Sequence, residues 1–241
     1  EFLDAVRKDD SWDLIRRTDG EVSKTIRARD LWSKVALAAW QSADPGVQYD
    51  STINEWHTTP AGGRINGSNP CSEYMFLDDT ACNLASLNLA SFYDADTKVF
   101  DIPAYEHGIR LWTIVLEISV LMAQFPSEAI ARRSYDYRTL GLGYANLGAL
   151  LMQKGVAYDS PEALAFAGTL TAIMTGCSYA TSAEMAGELG AFPRYEQNDG
   201  AMLRVMRNHR RAAYSSPADD YEELSVLPVA INETHANTQL L

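Results

Sequence analysis

Midway along the chain, the run Leu140-Gly141-Leu142-Gly143-Tyr144 breaks a long stretch of helical periodicity with apolar residues spaced by glycines. Glycine inside an apolar run forfeits side-chain packing and costs backbone entropy, so it marks a place where another backbone comes close. The run reads as a strand laid against a neighbour and leading into a helix. Long helical patterns lie on both sides. Ile102 to Phe125 has the apolar content of a buried helix, with Asp101 placed to cap it and Pro103 in its first turn. Ser160-Pro161-Glu162 opens another, predicted to run to about Gly187. Strand signals between long helices make the chain α/β.

The remaining segments fit this class. Apolar residues recur at helical spacing from Asp30 to Trp40, and the turn signal Asp44-Pro45-Gly46 ends that helix. Val47 to Asp50 is a short strand candidate. Residues 58 to 69 hold three glycines and a proline and read as an irregular loop. Ser72 to Leu77 and Asn83 to Leu89 are short, partly apolar strand candidates. Ser127 to Arg133 and Asp199 to Ala213 read as helices, and the acidic stretch after Ser215-Ser216-Pro217 as exposed and loosely structured.

Composition narrows the function. The 241 residues are 46% hydrophobic, ample for a buried core, and carry a net charge of −12. An acidic chain is unsuited to non-specific binding of DNA, RNA or anionic membrane. The apolar run from Leu111 to Phe125 is interrupted by Glu117 and too short to cross a bilayer, so no membrane span is expected. The N-terminus carries no basic or apolar leader pattern, and the chain is expected to be an internal piece of a longer protein. Three cysteines, Cys71, Cys82 and Cys177, are too few for a disulfide scaffold, which favours a reducing cytoplasm. The four histidines, His57, His107, His209 and His235, stand at no metal-ligand spacing, and no metal site is expected.

Chemistry concentrates in Asn69-Pro70-Cys71-Ser72-Glu73, with Cys82 eleven residues beyond Cys71. Were the segment extended, Asn69, Cys71 and Glu73 would share one face. An amide, a thiol and a carboxyl around one small volume can bind a diol, exchange a hydrogen atom and accept a proton. A lone cysteine is more often a small packed hydrophobe, and the pentapeptide by itself favours that reading.

The longer context reverses the preference. Gly63-Arg64-Ile65-Asn66-Gly67-Ser68 before the pentapeptide, and Cys82-Asn83-Leu84-Ala85-Ser86-Leu87-Asn88-Leu89 after it, resemble the active-site region of ribonucleotide reductases. Asp44-Pro45-Gly46-Val47 with Asp50-Ser51-Thr52-Ile53-Asn54 resembles the stretch that precedes this loop, and residues 140 to 151 the glycine-rich strand and helix that follow. The match covers roughly residues 1 to 213. It implies a ten-stranded α/β barrel of two antiparallel halves, with the radical cysteine on a finger loop inside. This chain, residues 1 to 241, would belong to that catalytic domain and supply about half of its barrel with flanking long helices; residues 214 to 241 would form a loosely structured end.

The resemblance also implies roles. Cys71 matches the cysteine whose thiyl radical removes the 3′ hydrogen of the ribose, Glu73 the general base on the 3′ hydroxyl, and Asn69 the amide that binds the ribose hydroxyls. Cys82 matches one of the pair oxidised to a disulfide as the 2′ hydroxyl leaves as water. A carboxyl kept from bulk water would have its pKa raised toward that of a useful base. Implied partners are a ribonucleotide substrate, nucleotide effectors and a dithiol reductant, with a homodimer as one expectation for the parent. The interval between Cys71 and Cys82 and the wording Asn-Pro-Cys-Ser-Glu are similar to the adenosylcobalamin-dependent class, so that cofactor is expected in the full-length parent. The alternatives are a diiron-dependent class, whose radical arises on a separate subunit, and a non-catalytic structural module.

Departures from the family pattern accompany the matches. No cysteine precedes Cys71 to serve as the partner of Cys82, and Cys177 lies in a predicted helix where packing is its expected role. The loops for effector and substrate phosphates find no match, so the isolated chain is expected to be inactive. His57, Arg64, Ser68 and Ser72 lie close to the motif but are given no role in the chemistry. A loop histidine is more often structural, and an isolated arginine more often salt-bridged.

Overall fold

The computed structural model describes residues 1 to 229, which fall into two compact units, residues 1 to 49 and residues 50 onward. In the first unit, helix α1 (Phe2–Lys8) leads to an antiparallel hairpin, β1 (Ser11–Ile15) with β2 (Val22–Arg27), and then to helix α2 (Ala28–Ser42). Its small core forms around Phe2, which meets Trp12 and Trp32 edge-on at centroid distances of 5.0 and 6.3 Å. The expected strand at Val47 to Asp50 is absent: Val47 and Tyr49 are exposed with no strand to pair with among the described residues, and Asp50 instead opens helix α3 (Asp50–Glu55).

The second unit continues from α3 through a loop to β3 (Asn83–Asn88), a short antiparallel pair β4 (Tyr93–Asp94) and β5 (Val99–Phe100), and helix α4 (Ile102–Met122). Asp101 caps α4 as its position suggests, its Oδ1 accepting from the Ala104 amide at 2.9 Å, with Pro103 in the first turn. Next come α5 (Glu128–Tyr137), β6 (Leu140–Ala145), α6 (Leu147–Lys154), α7 (Pro161–Leu189) and α8 (Asp199–Ala213). Ser160 Oγ caps α7 by accepting from the Ala163 amide at 3.1 Å.

The glycine-spaced run is the strand β6, paired in parallel with β3 from Asn83 opposite Leu140 to Asn88 opposite Ala145. Leu87 and Leu89 meet Tyr105 and Ile109 of α4, Leu150 and Leu151 of α6, and Phe166, Leu170 and Met174 of α7 in one core. Helix α7 is long and apolar enough by composition to cross a membrane, yet it supplies much of this core. Glu117, the charge inside the apolar stretch of α4, pairs with Arg138, which turns the chain from α5 into β6 in a left-handed conformation. The ion pair partners a carboxylate that is only partly exposed.

Among the described residues the sheets are three two-stranded pairs, and no closed barrel forms. A second strand expectation is corrected. Ser72 to Leu77 forms no strand beyond a single bridge between Ser68 and Met75, because the chain reverses direction just before it. The acidic stretch is anchored as far as it is described: Glu222 accepts from Arg207 Nε at 2.7 Å and Arg211 at 2.5 Å, and its backbone bonds both ends of the Asn208 carboxamide. Those arginines, Arg207 first, hold the Glu222 carboxyl down at about 2. The remainder of that stretch, and His235, lie outside the described residues.

Candidate active site

The loop before the cysteine motif is irregular, as its glycines suggest, but firmly tied. The Asn54 carboxamide donates to the Ile65 carbonyl and accepts from the Ile65 amide, both at 3.1 Å, as a neighbouring strand would. His57 is buried; its Nε2 bonds the Gly63 carbonyl at 2.9 Å and its Nδ1 accepts from the Thr59 amide at 3.2 Å. With one ring nitrogen donating and the other accepting, the ring is neutral. Burial holds its pKa below the usual value. From outside the loop, Arg133 donates to the carbonyls of Gly62 and Asp78, and Asn198 Oδ1 accepts from the Ala61 amide.

This frame carries a finger. After the Ser68–Met75 bridge the chain turns at Asn69 to Ser72, the Ser72 amide donating to the Asn69 carbonyl at 3.0 Å with Ser72 at φ 64°. The segment is therefore a turn and not the extended strand that alternation would require. Asn69 and Glu73 reach one neighbourhood by the turn bringing them back, not by sharing a face of a strand. Asn69 Oδ1 accepts from the Tyr74 amide at 3.0 Å and closes the turn. Cys71 stands exposed in the turn, and Glu73 is also exposed where enclosure was expected. Among the described residues nothing shields that carboxyl from water.

The return arm of the finger is fixed by hydroxyls that the sequence reading missed. Tyr74 Oη lies 2.9 Å from Thr80 Oγ1 and 2.9 Å from Thr139 Oγ1, its one proton facing both, and Thr139 donates to the Ala81 carbonyl at 3.0 Å. The finger, the segment before β3 and the entry to β6 are thereby joined just ahead of Cys82. The Ala81 amide donates to Ser134 Oγ, and Asn83 Nδ2 to Ser119 Oγ, so the residues on both sides of Cys82 are anchored to helices. No periodicity announces such a cluster, since its members stand 59 residues apart between Thr80 and Thr139.

Cys82 is half-buried and its thiol is pushed up to about 11, first by burial and then by the charge of Glu73. All three cysteines are free thiols. Cys177 packs against the main core, with Sγ 3.5 Å from the Glu106 carbonyl, the role expected of it. Arg64 is an exposed partner of Asp50. The described residues hold no cluster of His, Cys and acidic side chains able to bind a metal ion.

The segment thus presents an exposed thiol on a turn, an exposed carboxylate two residues on, and a second, half-buried thiol just before the parallel strand pair. Residues 4–229 match the family model described as ribonucleotide reductase, barrel domain, and the chain belongs to that family. Among curated proteins it is 66% identical over 231 residues to the vitamin B12-dependent ribonucleotide reductase of Agrobacterium fabrum, and 61% identical over 232 residues to that of Bradyrhizobium diazoefficiens. Each alignment takes in 96% of this chain and 18% of the relative. The protein of the same name from Streptomyces coelicolor is 49% identical over 211 residues, 86% of this chain and 22% of that relative. The chain therefore spans about a fifth of the length of these relatives.

Proposed function

We propose that the whole protein reduces ribonucleotides to deoxyribonucleotides by thiyl-radical chemistry dependent on adenosylcobalamin, and that this chain contributes the radical cysteine and one thiol of the redox pair. The observation that carries the reading is the finger itself, with Cys71 in its turn and Asn69 and Glu73 on its two arms. In it, Cys71 exchanges a hydrogen atom with the 3′ carbon, and the Asn69 carboxamide holds the ribose hydroxyls. Glu73 takes the 3′ hydroxyl proton. Cys82 and a second thiol from elsewhere in the protein supply two electrons and become a disulfide as the 2′ hydroxyl departs as water; an external dithiol restores them.

When bound, adenosylcobalamin would supply the radical that Cys71 carries. The exposure of Cys71 fits a radical source that approaches from outside this chain, and no residue here is assigned to holding the corrin. The parallel pair β3 and β6 is read as part of the parent's ten-stranded barrel, about half of which this chain would supply, with residues 1 to 241 all within the catalytic domain. Effector binding, phosphate recognition and dimer formation fall to the rest of the protein. The reading places it in the reducing cytoplasm, where its cysteines stay as thiols.

Replacement of the radical carrier tests the proposal. In the full-length protein Cys71→Ser abolishes both deoxynucleotide formation and exchange of the substrate's 3′ hydrogen, because a serine O–H bond is too strong to relay a hydrogen atom. Retained activity in that variant would remove Cys71 from its role.

A further inference from the structure

The position of Cys82 depends on a residue that has no side chain. Gly141 lies in β6 opposite Leu84, next to the pair Asn83–Leu140 that begins the ladder. A Cβ added to Gly141 would stand 2.5 Å from Cys82 Sγ, 2.5 Å from Leu84 Cδ2 and 3.0 Å from the Asn83 carbonyl oxygen. Atoms do not approach so closely, so something must move. The carbonyl belongs to β3 backbone and resists. Leu84 is 65% exposed and can swing its end into solvent. That leaves the thiol, half-buried just ahead of β3.

Gly143, two residues on and on the same face of β6, supplies the contrast. A Cβ there meets nothing nearer than Ser86 Oγ at 4.0 Å, an ordinary contact. Both glycines serve the strand, but only one makes room for the sulfur. The motif's spacing announces two equivalent positions, and the structure makes them unequal.

We infer that Gly141 is a positioning residue for Cys82: the bare backbone at 141 is the socket that seats the sulfur, and any side chain there displaces it. The inference deepens the proposed function and rests on it only where activity is the readout. Displacement from the socket brings the thiol toward solvent and removes the main cause of its raised pKa.

The test uses the full-length holoenzyme with Gly141→Ala and, as a matched control, Gly143→Ala. Both substitutions change backbone entropy alike, so the steric contact at 141 is what distinguishes them. The first readout is the rate at which iodoacetamide alkylates Cys82 at pH 8 without substrate. Gly141→Ala is expected to raise it about tenfold, the gain in thiolate from a one-unit fall in pKa, while Gly143→Ala stays within about twofold of the parent. Equal rates in the two variants would overturn the inference. The second readout is product: Gly141→Ala should release base in place of deoxynucleotide, because the ribose is still activated while one thiol of the redox pair is out of place. Faster alkylation with normal deoxynucleotide formation would leave the socket standing and remove Cys82 from the redox pair. Where Gly141→Ala does not fold, it is combined with Cys82→Ala, which deletes the clashing sulfur. Recovery of the fold supports the inference, and failure to recover it overturns it.

Discussion

Glu73 joins two parts of the proposed chemistry, because its charge bears on Cys82 while its place on the finger sets it beside Cys71. Two separable effects are expected of Glu73→Gln in the full-length protein. Removing the negative charge lowers the Cys82 pKa, so the pH profile of Cys82 alkylation moves to lower pH. Losing the proton acceptor slows turnover by about 10²–10⁴-fold while nucleotide binding persists. An unmoved alkylation profile would separate Glu73 from Cys82; near-normal turnover with altered substrate affinity would make Glu73 a binding residue instead. At this scale the sequence was informative about which residues matter and silent about how they meet. Alternation suggested an extended strand with three side chains on one face, whereas the short circuit between the Asn69 carbonyl and the Ser72 amide bends it into a turn.

The finger is only as stable as the loop beneath it, and His57 is the titratable group within that loop. In the unfolded chain a histidine titrates near 6.5, whereas burial holds folded His57 lower. Between those values the unfolded chain binds more protons, so acidification favours unfolding. The stability gained by keeping His57 neutral is complete above 6.5 and is lost as pH falls toward the folded value. Half-buried His209, also depressed, contributes with the same sign, and Glu222 acts only in the acid range below the ordinary carboxylate pKa. Urea midpoints of the 241-residue chain should therefore decline from pH 7 to 5. His57→Gln should lower stability at pH 7 by about 1–3 kcal/mol, the cost of a buried group left unpaired, and flatten part of that decline. A slope unchanged by the substitution would assign the pH dependence elsewhere.

As a whole, the chain leaves apolar surface uncovered. Helix α4 buries Tyr105, Ile109 and Leu116 on one side and exposes Leu111, Ile118, Leu121 and Met122 on the other, while Leu84 projects from β3 into solvent. Neither β3 nor β6 has a second neighbour among the described residues. Open parallel edges beside an apolar helix are places where other chains add. The isolated 241-residue chain is expected to self-associate as its concentration rises, measured by sedimentation velocity, and less so with Ile118→Lys and Leu121→Lys together. It is also expected to reduce no ribonucleotide, since it lacks the second redox thiol. Cobalamin-stimulated deoxynucleotide formation by this chain alone would refute that, and a strictly monomeric chain would show that the exposed face of α4 is not adhesive.

What the sequence determined by itself was local. Ser160 and Asp101 cap their helices, α8 spans Asp199 to Ala213 as its pattern indicates, and the glycine run is a strand, because caps, periodicity and glycine placement act over a few residues. The ordered motifs around Asn69, Cys71, Glu73 and Cys82 also carried the family, since several matches in sequence order are far more specific than any one of them. Only the tertiary structure decided what depends on distant segments meeting. It set β6 against β3 in a parallel register, gathered Tyr74, Thr80 and Thr139 into one hydroxyl cluster, and made Gly141 the glycine that meets the sulfur of Cys82. Such contacts arise from packing between segments some 60 residues apart, and no local preference of the chain encodes them.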